Sequence, residues 1–411
     1  MRKWAGLKCF LCLSLALAAS ACEAPAARDA DAEGDTAVSS SALSTQWDCS
    51  AFRYGNDVWM RSAYNGAGQF DLRVGAGGAV AELRDVARGY APMLSPGIEE
   101  VGDRTDRVIQ TVMWDHAIQK AGTSSPDARL NFNQAGTAQN VYSPTFGATI
   151  TNQPNKCAVE VYSGLIDSWQ PALSPYMRTY ATLYTRYEMS GAGAITIRKL
   201  LYLYALYANQ TAGISYNGNQ GSYPNLYLEN WIPFRKPAFD SVALSVDGAG
   251  NPNWYYSMGN LPTYPSFAVN QTPGYAIVYR AADRASGPMI GVAYGTHPAE
   301  CVGGACAASS VLNTMQWGSG IGILPAINMG TTPMGSLIDQ TLIVVPQHGV
   351  NAQTASYVAA LAATVPSVKV YLPGATLPGD VTGLAASLSN FAGVMAAGGG
   401  GRTDNLGVFL P

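Results

Sequence analysis

Two short segments carry residue types that could abstract a proton next to a carboxylate. One ends in His116 after Val-Met-Trp-Asp, and the other runs from Asn131 to Gln134. If the two segments pair, a base and amide donors converge. Elimination at a uronate needs an Asn, Gln or Arg to neutralise the carboxylate and a His or Tyr to take the adjacent proton. Arg186 or Tyr187 would complete this set, so a polysaccharide lyase is the first functional hypothesis.

Two glutamates in apolar, aromatic segments favour a second chemistry. A glycoside hydrolase needs two carboxyl groups about 5 to 10 Å apart across a cleft, one of them protonated. Glu188 and Glu229 lie where loss of water contact would raise a carboxyl pKa, the condition for a general acid at neutral pH. Pairing of these glutamates with Arg186 or Arg235 is the structural alternative. Hydrolase and lyase both stay open at this point.

Aromatic and hydrogen-bonding residues also occur together in this sequence. Sugar rings stack their apolar C–H faces on Tyr and Trp, while their hydroxyls bond amides and carboxylates. In a strand, Tyr227, Glu229 and Trp231 would share one face because side chains alternate. A second cluster, in Pro- and Gly-rich sequence typical of binding loops, is Trp254, Tyr255 and Tyr256. These residues favour a polysaccharide or oligosaccharide partner, bound with or without catalysis, and packing of the aromatics in the core is the alternative.

The elements that must position these residues are mostly strands. Short alternating apolar segments are separated by turn residues, as in an exported β-protein. The predicted strands are Phe70–Val74, Ala79–Leu83, Tyr184–Met189, Ile195–Leu206, Ser241–Val246, Tyr275–Tyr279 and Thr341–Val345. Helical spacing appears only late, in Ala352–Thr364 after the possible cap Asn351 and in Thr382–Met395. We therefore expect a mainly β fold, a large antiparallel β-sandwich with a few peripheral helices near the C-terminus.

Two segments resemble a known architecture. Residues 70–84 and 185–198 each read as a pair of long strands joined by a Gly-Ala-Gly turn. They are similar to the paired strands of galactose-mutarotase-like super-β-sandwiches, a fold found in epimerases, polysaccharide lyases and parts of glycoside hydrolases. The resemblance implies a super-sandwich in residues 47–411. The paired histidines of the mutarotases have no counterpart here, which counts against sugar epimerisation.

The first residues indicate export. Three basic residues precede an apolar run of about eleven residues that ends in Ala19-Ser20-Ala21, the layout of a signal peptide over residues 1–21. Cleavage there would leave Cys22 at the new N-terminus, similar to the acylated cysteine of bacterial lipoproteins, although Ala19 replaces the usual Leu. Residues 22–46 are polar and lack aromatics, so they are predicted to be a disordered tether. We expect a periplasmic or cell-surface lipoprotein, with ordinary secretion as the alternative.

Cysteine usage agrees with export. Without the signal segment five cysteines remain, an odd number, so lipidation of Cys22 would leave four to form disulfides in an oxidising compartment. Three pairings are possible. The most economical joins Cys301 with Cys306 and Cys49 with Cys157. A metal half-site is the alternative for the first pair, but no second half-site accompanies it.

The charge balance excludes several partners. Residues 47–411 are nearly neutral and contain five lysines, so they lack the basic footprint of a nucleic-acid or acidic-lipid binder. No dinucleotide, phosphate-loop, zinc-protease or haem motif occurs, and no cofactor or metal is expected. We expect a monomer that contacts the membrane only through its lipid anchor.

Overall fold

The structure is a computed structural model of the chain. The structure describes residues 49–55, 57–63, 68–89, 91–94, 109–120, 129–133, 145–167, 179–204, 216–217, 222–235, 239–245, 254–257, 266–268, 274–294, 299–317 and 320–396. The predicted signal segment, the tether, Cys22 and Gln134 lie outside these residues. Among the described residues, no helix is both long and apolar enough to cross a membrane.

Strands make up most of the described chain. They are β1 (Ser50–Tyr54), β2 (Asp57–Arg61), β3 (Phe70–Val74), β4 (Val80–Asp85), β5 (Ala91–Leu94), β6 (Gln110–Lys120), β7 (Arg129–Asn133), β8 (Thr145–Gln153), β9 (Lys156–Asp167), β10 (Thr179–Ser190), β11 (Ile195–Leu203), β12 (Tyr216–Asn217), β13 (Ser222–Arg235), β14 (Ser241–Ser245), β15 (Trp254–Ser257), β16 (Ser266–Ala268), β17 (Gly274–Tyr279), β18 (Pro288–Tyr294), β19 (Glu300–Val302), β20 (Ser309–Trp317), β21 (Gly320–Pro333), β22 (Leu337–His348) and β23 (Lys369–Tyr371). The two α-helices are α1 (Ala352–Ala362) and α2 (Gly379–Ala396). Every strand and helix that the sequence predicts is confirmed, with shifted ends.

The described strands pair in antiparallel fashion except for β19 and β23, which pair in parallel beside β22. The N-terminal sheet has the order β1-β2-β3-β4-β5. Pairings join β8-β9-β10-β11-β22-β18-β17-β14-β15 into what we call the first sheet. The second sheet is β7-β6-β13-β21-β20-β16, and β7 also pairs with β9, which connects the two sheets. The predicted large antiparallel sandwich is confirmed.

The core lies between the first and second sheets. On β10, Leu183, Thr185, Tyr187 and Met189 are buried there, while Arg186 and Glu188 point to the outer face. On β13, Leu228 and Ile232 alternate in the same way. Successive side chains of a strand point alternately into the sandwich and to its outer face. The position of a residue along the strand therefore determines which of the two faces it occupies.

A small polar layer interrupts this core. Lys199 on β11 is 1% exposed and donates a hydrogen bond to the Asn230 side-chain oxygen on β13. The Asn230 amide donates in turn to the Gln340 side chain at 2.7 Å and to the Pro325 carbonyl at 3.2 Å. Apolar clusters lie on both sides of the layer. Because buried polar groups need partners, these bonds fix how the two sheets face each other.

Both helices cover the outer face of the first sheet. Val358 of α1 packs with Tyr275 and Val345, and Leu388 of α2 packs with Leu200. Asn351 caps α1: its side-chain oxygen accepts from the Thr354 backbone N–H at 2.9 Å in a reciprocal capping box. The expectation of peripheral helices near the C-terminus is therefore confirmed.

The N-terminal sheet is joined to the sandwich by buried contacts. The Tyr187 hydroxyl donates to the Gly78 carbonyl at 2.6 Å, and the His348 Nε2 lies 2.6 Å from the Asp85 Oδ2. Disulfides join Cys49 to Cys157 and Cys301 to Cys306, so the economical pairing predicted from the sequence is confirmed.

Candidate functional site

The outer face of β13 carries the aromatic row that the sequence predicts. Tyr227, Glu229 and Trp231 are each half-buried there, alternating with the core residues of the strand. The Trp231 indole N–H donates to Glu229 Oε2 at 2.9 Å, and the Asn328 amide on β21 donates to the Tyr227 hydroxyl at 3.0 Å. These bonds hold two aromatic side chains and their polar partners in place on one surface. We call it the aromatic face.

Neighbouring strands extend this row by backbone register. Tyr227 pairs with Asn328 on one side and with Trp114 on the other. Trp114 pairs in turn with Asn131 on β7, so the two segments are neighbouring strands, which is the condition set for the lyase hypothesis. His116 follows Trp114 by two residues on β6. The backbone thus brings the His116 and Asn131 strands beside the aromatic face, while Gln134 lies outside the described residues.

Arg186 and Glu188 lie elsewhere, on the outer face of the first sheet. Arg186 donates to Glu160 Oε1 at 2.5 Å and to Glu188 Oε2 at 2.8 Å. Burial raises the pKa of Glu188, but the bond from Arg186 and the charge of Lys156 outweigh it, so the net pKa is lowered. The expectation of a raised pKa at Glu188 is therefore wrong. The carboxylate pairs with arginine, which is the structural alternative considered for it.

The candidate residues divide between opposite sides of the sandwich. Glu188 faces outward from the first sheet and Glu229 outward from the second, with the buried core between them. Two carboxyl groups that point away from each other do not flank one glycosidic bond. Arg186 is separated in the same way from the β6 and β7 strands. The candidate residues therefore form two separate groups. Tyr227, Glu229 and Trp231 of β13 lie beside β6 and β7, and Arg186 lies with Glu188 on the first sheet.

Tyr187 belongs to the core. It is fully buried, and its hydroxyl donates to the Gly78 carbonyl. A buried phenol already bonded to the backbone is an internal packing contact and does not reach a substrate as a base, so the role considered for Tyr187 in elimination is not supported.

The second aromatic cluster forms a strand and not a binding loop. Trp254, Tyr255 and Tyr256 lie in β15, which pairs with β14 in the first sheet. The Pro- and Gly-rich composition favoured a loop, but the three consecutive aromatic residues have high strand propensity and a partner strand to pair with. They are therefore on a different sheet from Tyr227.

A cleft on the outer face of the first sheet was not expected from the sequence. The volume of this cleft is about 630 Å3, within the ~300 to 1,000 Å3 typical of small-ligand sites. Arg186 and Glu188 line it with Arg198, Asp339 and Asp380. Alternation along β10 and β11 places Arg186, Glu188 and Arg198 on one face of the sheet. The cleft also needs Asp380 of α2, which is distant in sequence and comes close only in the folded chain.

Comparison with known proteins concerns the fold. No family model and no curated protein matches the chain. Among solved structures, a candidate aldose 1-epimerase from Klebsiella pneumoniae is 8% identical over 80% of this chain and 91% of its own, with a TM-score of 0.41. A galactose mutarotase related enzyme from Lactobacillus acidophilus is 7% identical over 70% of this chain and 97% of its own, with a TM-score of 0.37. Heparan sulfate lyase from Pedobacter heparinus is 10% identical over 75% of this chain and 38% of its own, with a TM-score of 0.33.

The first two of these structures belong, by their names, to the epimerase and mutarotase group whose paired strands residues 70–84 and 185–198 resemble. Sequence identities of 10% or less and TM-scores below 0.5 describe a distant likeness of strand arrangement.

Proposed function

We propose that this protein is exported and binds polysaccharide on the aromatic face of the second sheet. The observation that carries the proposal is the row of Tyr227, Glu229 and Trp231 on one strand face, with Asn328 bonded to it from the next strand. Sugar rings offer apolar C–H faces for the aromatic rings and hydroxyls for the carboxylate and amide. The face supplies both kinds of partner side by side.

The bonds within the face support binding by reducing its entropic cost. Trp231 is oriented by Glu229, and Tyr227 by Asn328, before any ligand arrives. Side chains that are already ordered lose less freedom on association, so more of the stacking energy appears as affinity. The strands beneath are parts of a continuous sheet, which also makes the surface rigid.

Affinity measurements on a panel of plant and bacterial polysaccharides test this function. We expect Trp231→Ala and Tyr227→Ala each to weaken binding by about tenfold, because each removes a stacking surface. Trp59→Ala is the matched control, since this half-buried tryptophan lies on the N-terminal sheet, where its ring contacts Arg73 and Arg84. Equal losses in all three variants, or no loss at Trp231, would contradict the proposal.

Export is proposed together with membrane anchoring at Cys22. The two disulfides support it, because such bonds persist mainly in oxidising compartments. The signal-like segment and the polar tether agree with that location. Cys22→Ser should move the protein from the membrane fraction to the soluble fraction of the expressing cells. A soluble protein in both forms would exclude the anchor.

β-Elimination on the same surface is the second candidate function. It is favoured by the register that pairs Trp114 with Asn131 next to Tyr227, with His116 on the same strand as Trp114. In this proposal His116 takes the C5 proton of the uronate and Asn131 neutralises its carboxylate. A C4–C5 double bond forms as the C4–O glycosidic bond breaks, and the departing oxygen takes a proton from the His116 imidazolium or from water.

Product analysis separates catalysis from binding. An ultraviolet absorbance of the unsaturated uronate that disappears in His116→Ala would support elimination. New reducing ends without that absorbance would indicate hydrolysis. Neither product, with binding retained, would leave a non-catalytic glycan-binding protein.

A further inference from the structure

The cleft on the first sheet lies on the opposite side of the sandwich from the aromatic face. Its floor is formed by β10, β11 and β22, and its walls by the segment after α1, by β23 and by the start of α2. The lining comprises Arg186, Glu188, Thr196, Arg198, Asp339, Thr341, Ile343, Thr364, Val365, Pro366, Ser367, Lys369, Tyr371, Pro378, Asp380 and Val381. The floor is a sheet surface and therefore rigid.

Two arginines stand directly opposite each other in this floor. Arg186 on β10 pairs in register with Arg198 on β11, and both side chains point to the outer face. Like charges directly opposed on neighbouring strands are unfavourable by themselves. Each guanidinium is therefore held by two carboxylates: Arg186 contacts Glu160 and Glu188, and Arg198 contacts Asp339 at 2.7 Å and Asp380 at 3.0 Å.

These ion pairs leave one nitrogen of each arginine unused. Arg186 uses Nη1 and Nη2, and Arg198 uses Nε and Nη2. Among the described residues, the Nε of Arg186 and the Nη1 of Arg198 have no protein acceptor. The two side chains are 31% and 28% exposed, so a molecule in the cleft reaches them. The floor thus offers oriented donors beside carboxylate acceptors.

The charges of the lining select the kind of ligand. Three basic residues (Arg186, Arg198 and Lys369) are balanced by three acidic ones (Glu188, Asp339 and Asp380). A net anion or cation would meet as many repulsive as attractive charges, whereas a neutral molecule with many hydroxyls can bond both kinds. Hydroxyls of the lining threonines and the exposed rings of Pro366 and Pro378 add polar and apolar contacts.

From this geometry we propose that the cleft is a second binding site, specific for an uncharged oligosaccharide. Planar guanidinium and carboxylate groups bond adjacent sugar hydroxyls in pairs, and the proline rings lie against C–H faces. The start of α2 is tied to the floor through Arg198 and Asp380, so the site is formed before the ligand binds. The proposal does not depend on the aromatic face, which is on the other sheet.

Calorimetric titration of the full chain with neutral tetrasaccharides tests the site. The probes are cellotetraose, maltotetraose, xylotetraose and tetra-N-acetylchitotetraose, with an oligogalacturonate and a chitosan oligomer as charged comparators. Asp380→Asn keeps the shape of an exposed side chain but removes an acceptor charge, and Thr341→Trp fills the floor. Asp283→Asn is the matched control, because this exposed carboxylate pairs with Arg280 outside the lining.

We expect one neutral tetrasaccharide to bind, with an affinity that falls about tenfold in Asp380→Asn and further in Thr341→Trp, and is unchanged in Asp283→Asn. Binding should persist in the Tyr227→Ala, Trp231→Ala double variant, which removes the aromatic face. The second site would be excluded if tetrasaccharide affinity were lost in that double variant and unchanged in both cleft variants. That result would agree with binding at the aromatic face. Absence of binding to the unmodified chain, or preference for a charged comparator, would overturn it as well.

Discussion

Lys199 of the first sheet donates a hydrogen bond to Asn230 of the second sheet in the middle of the sandwich. Both side chains are shielded from water. Burial lowers the pKa of Lys199 from its ordinary 10.5 to about 7. Because Lys199 lies where a charged ammonium group is disfavoured, the free energy of unfolding should depend on pH.

The free energy of unfolding should rise with pH above about 7. Between the folded pKa of about 7 and the ordinary value of 10.5, the unfolded chain holds a proton on Lys199 that the folded chain lacks. Stability then increases by about 1.4 kcal/mol per pH unit from this group, and the increase vanishes below pH 7, where both states are protonated. Urea unfolding from pH 6 to pH 9 measures the slope.

Lys199→Met isolates this contribution, since the variant should lack that part of the slope. Lys156→Met is the control, because Lys156 is 46% exposed. A Lys199→Met protein with the same pH dependence as the unmodified chain would mean that Lys199 does not titrate on folding.

The two disulfides should differ in their stabilising effect. The Cys49–Cys157 bond closes a sequence separation of 108 residues and the Cys301–Cys306 bond a separation of 5. Because a longer loop loses more entropy in the unfolded chain, replacing both cysteines by alanine should cost about 5 kcal/mol for the first pair and about 2 kcal/mol for the second. Denaturant unfolding of the two double variants compares them directly, and equal losses would argue against the entropic account.

Tyr187→Phe should destabilise the protein by about 1 to 2 kcal/mol, because it leaves the buried Gly78 carbonyl without its donor. Tyr294→Phe is the matched control: within the described part of the chain, the buried Tyr294 hydroxyl has no hydrogen-bond partner. Its removal should be neutral or stabilising. Thermal unfolding of both variants tests the difference, and a larger loss at Tyr294 would reverse the interpretation.

Gly193→Ala should destabilise more than Gly89→Ala. Both glycines have positive φ, +87° and +71°, so each alanine is strained by about 1 to 2 kcal/mol. At Gly193 the new methyl would also lie 2.9 Å from the buried Phe70 ring, whereas at Gly89 nothing lies within 4 Å. Similar unfolding free energies for the two variants would show that the Phe70 ring moves aside freely.

Local alternation explains why much of the fold and one candidate surface could be predicted. The β13 sequence places Tyr227, Glu229 and Trp231 on one face in any strand, because neighbouring side chains point to opposite sides. The same rule predicted the strand pair of β10 and β11. It could not say that Glu188 and Glu229 face opposite directions, since that depends on which side of each strand is covered.

The sequence by itself determined the strand pattern, the two late helices and the aromatic row, all of which depend on spacing along the chain, whereas it left three cysteine pairings open. Only the tertiary structure decided that Tyr187 lies in the core, that Arg186 pairs with Glu160 and Glu188, and that Lys199 meets Asn230. These contacts join strands distant in sequence, and which of them form depends on how whole sheets stack. The cleft belongs to the same class, since α2 must fold back over β11 before Asp380 can reach Arg198.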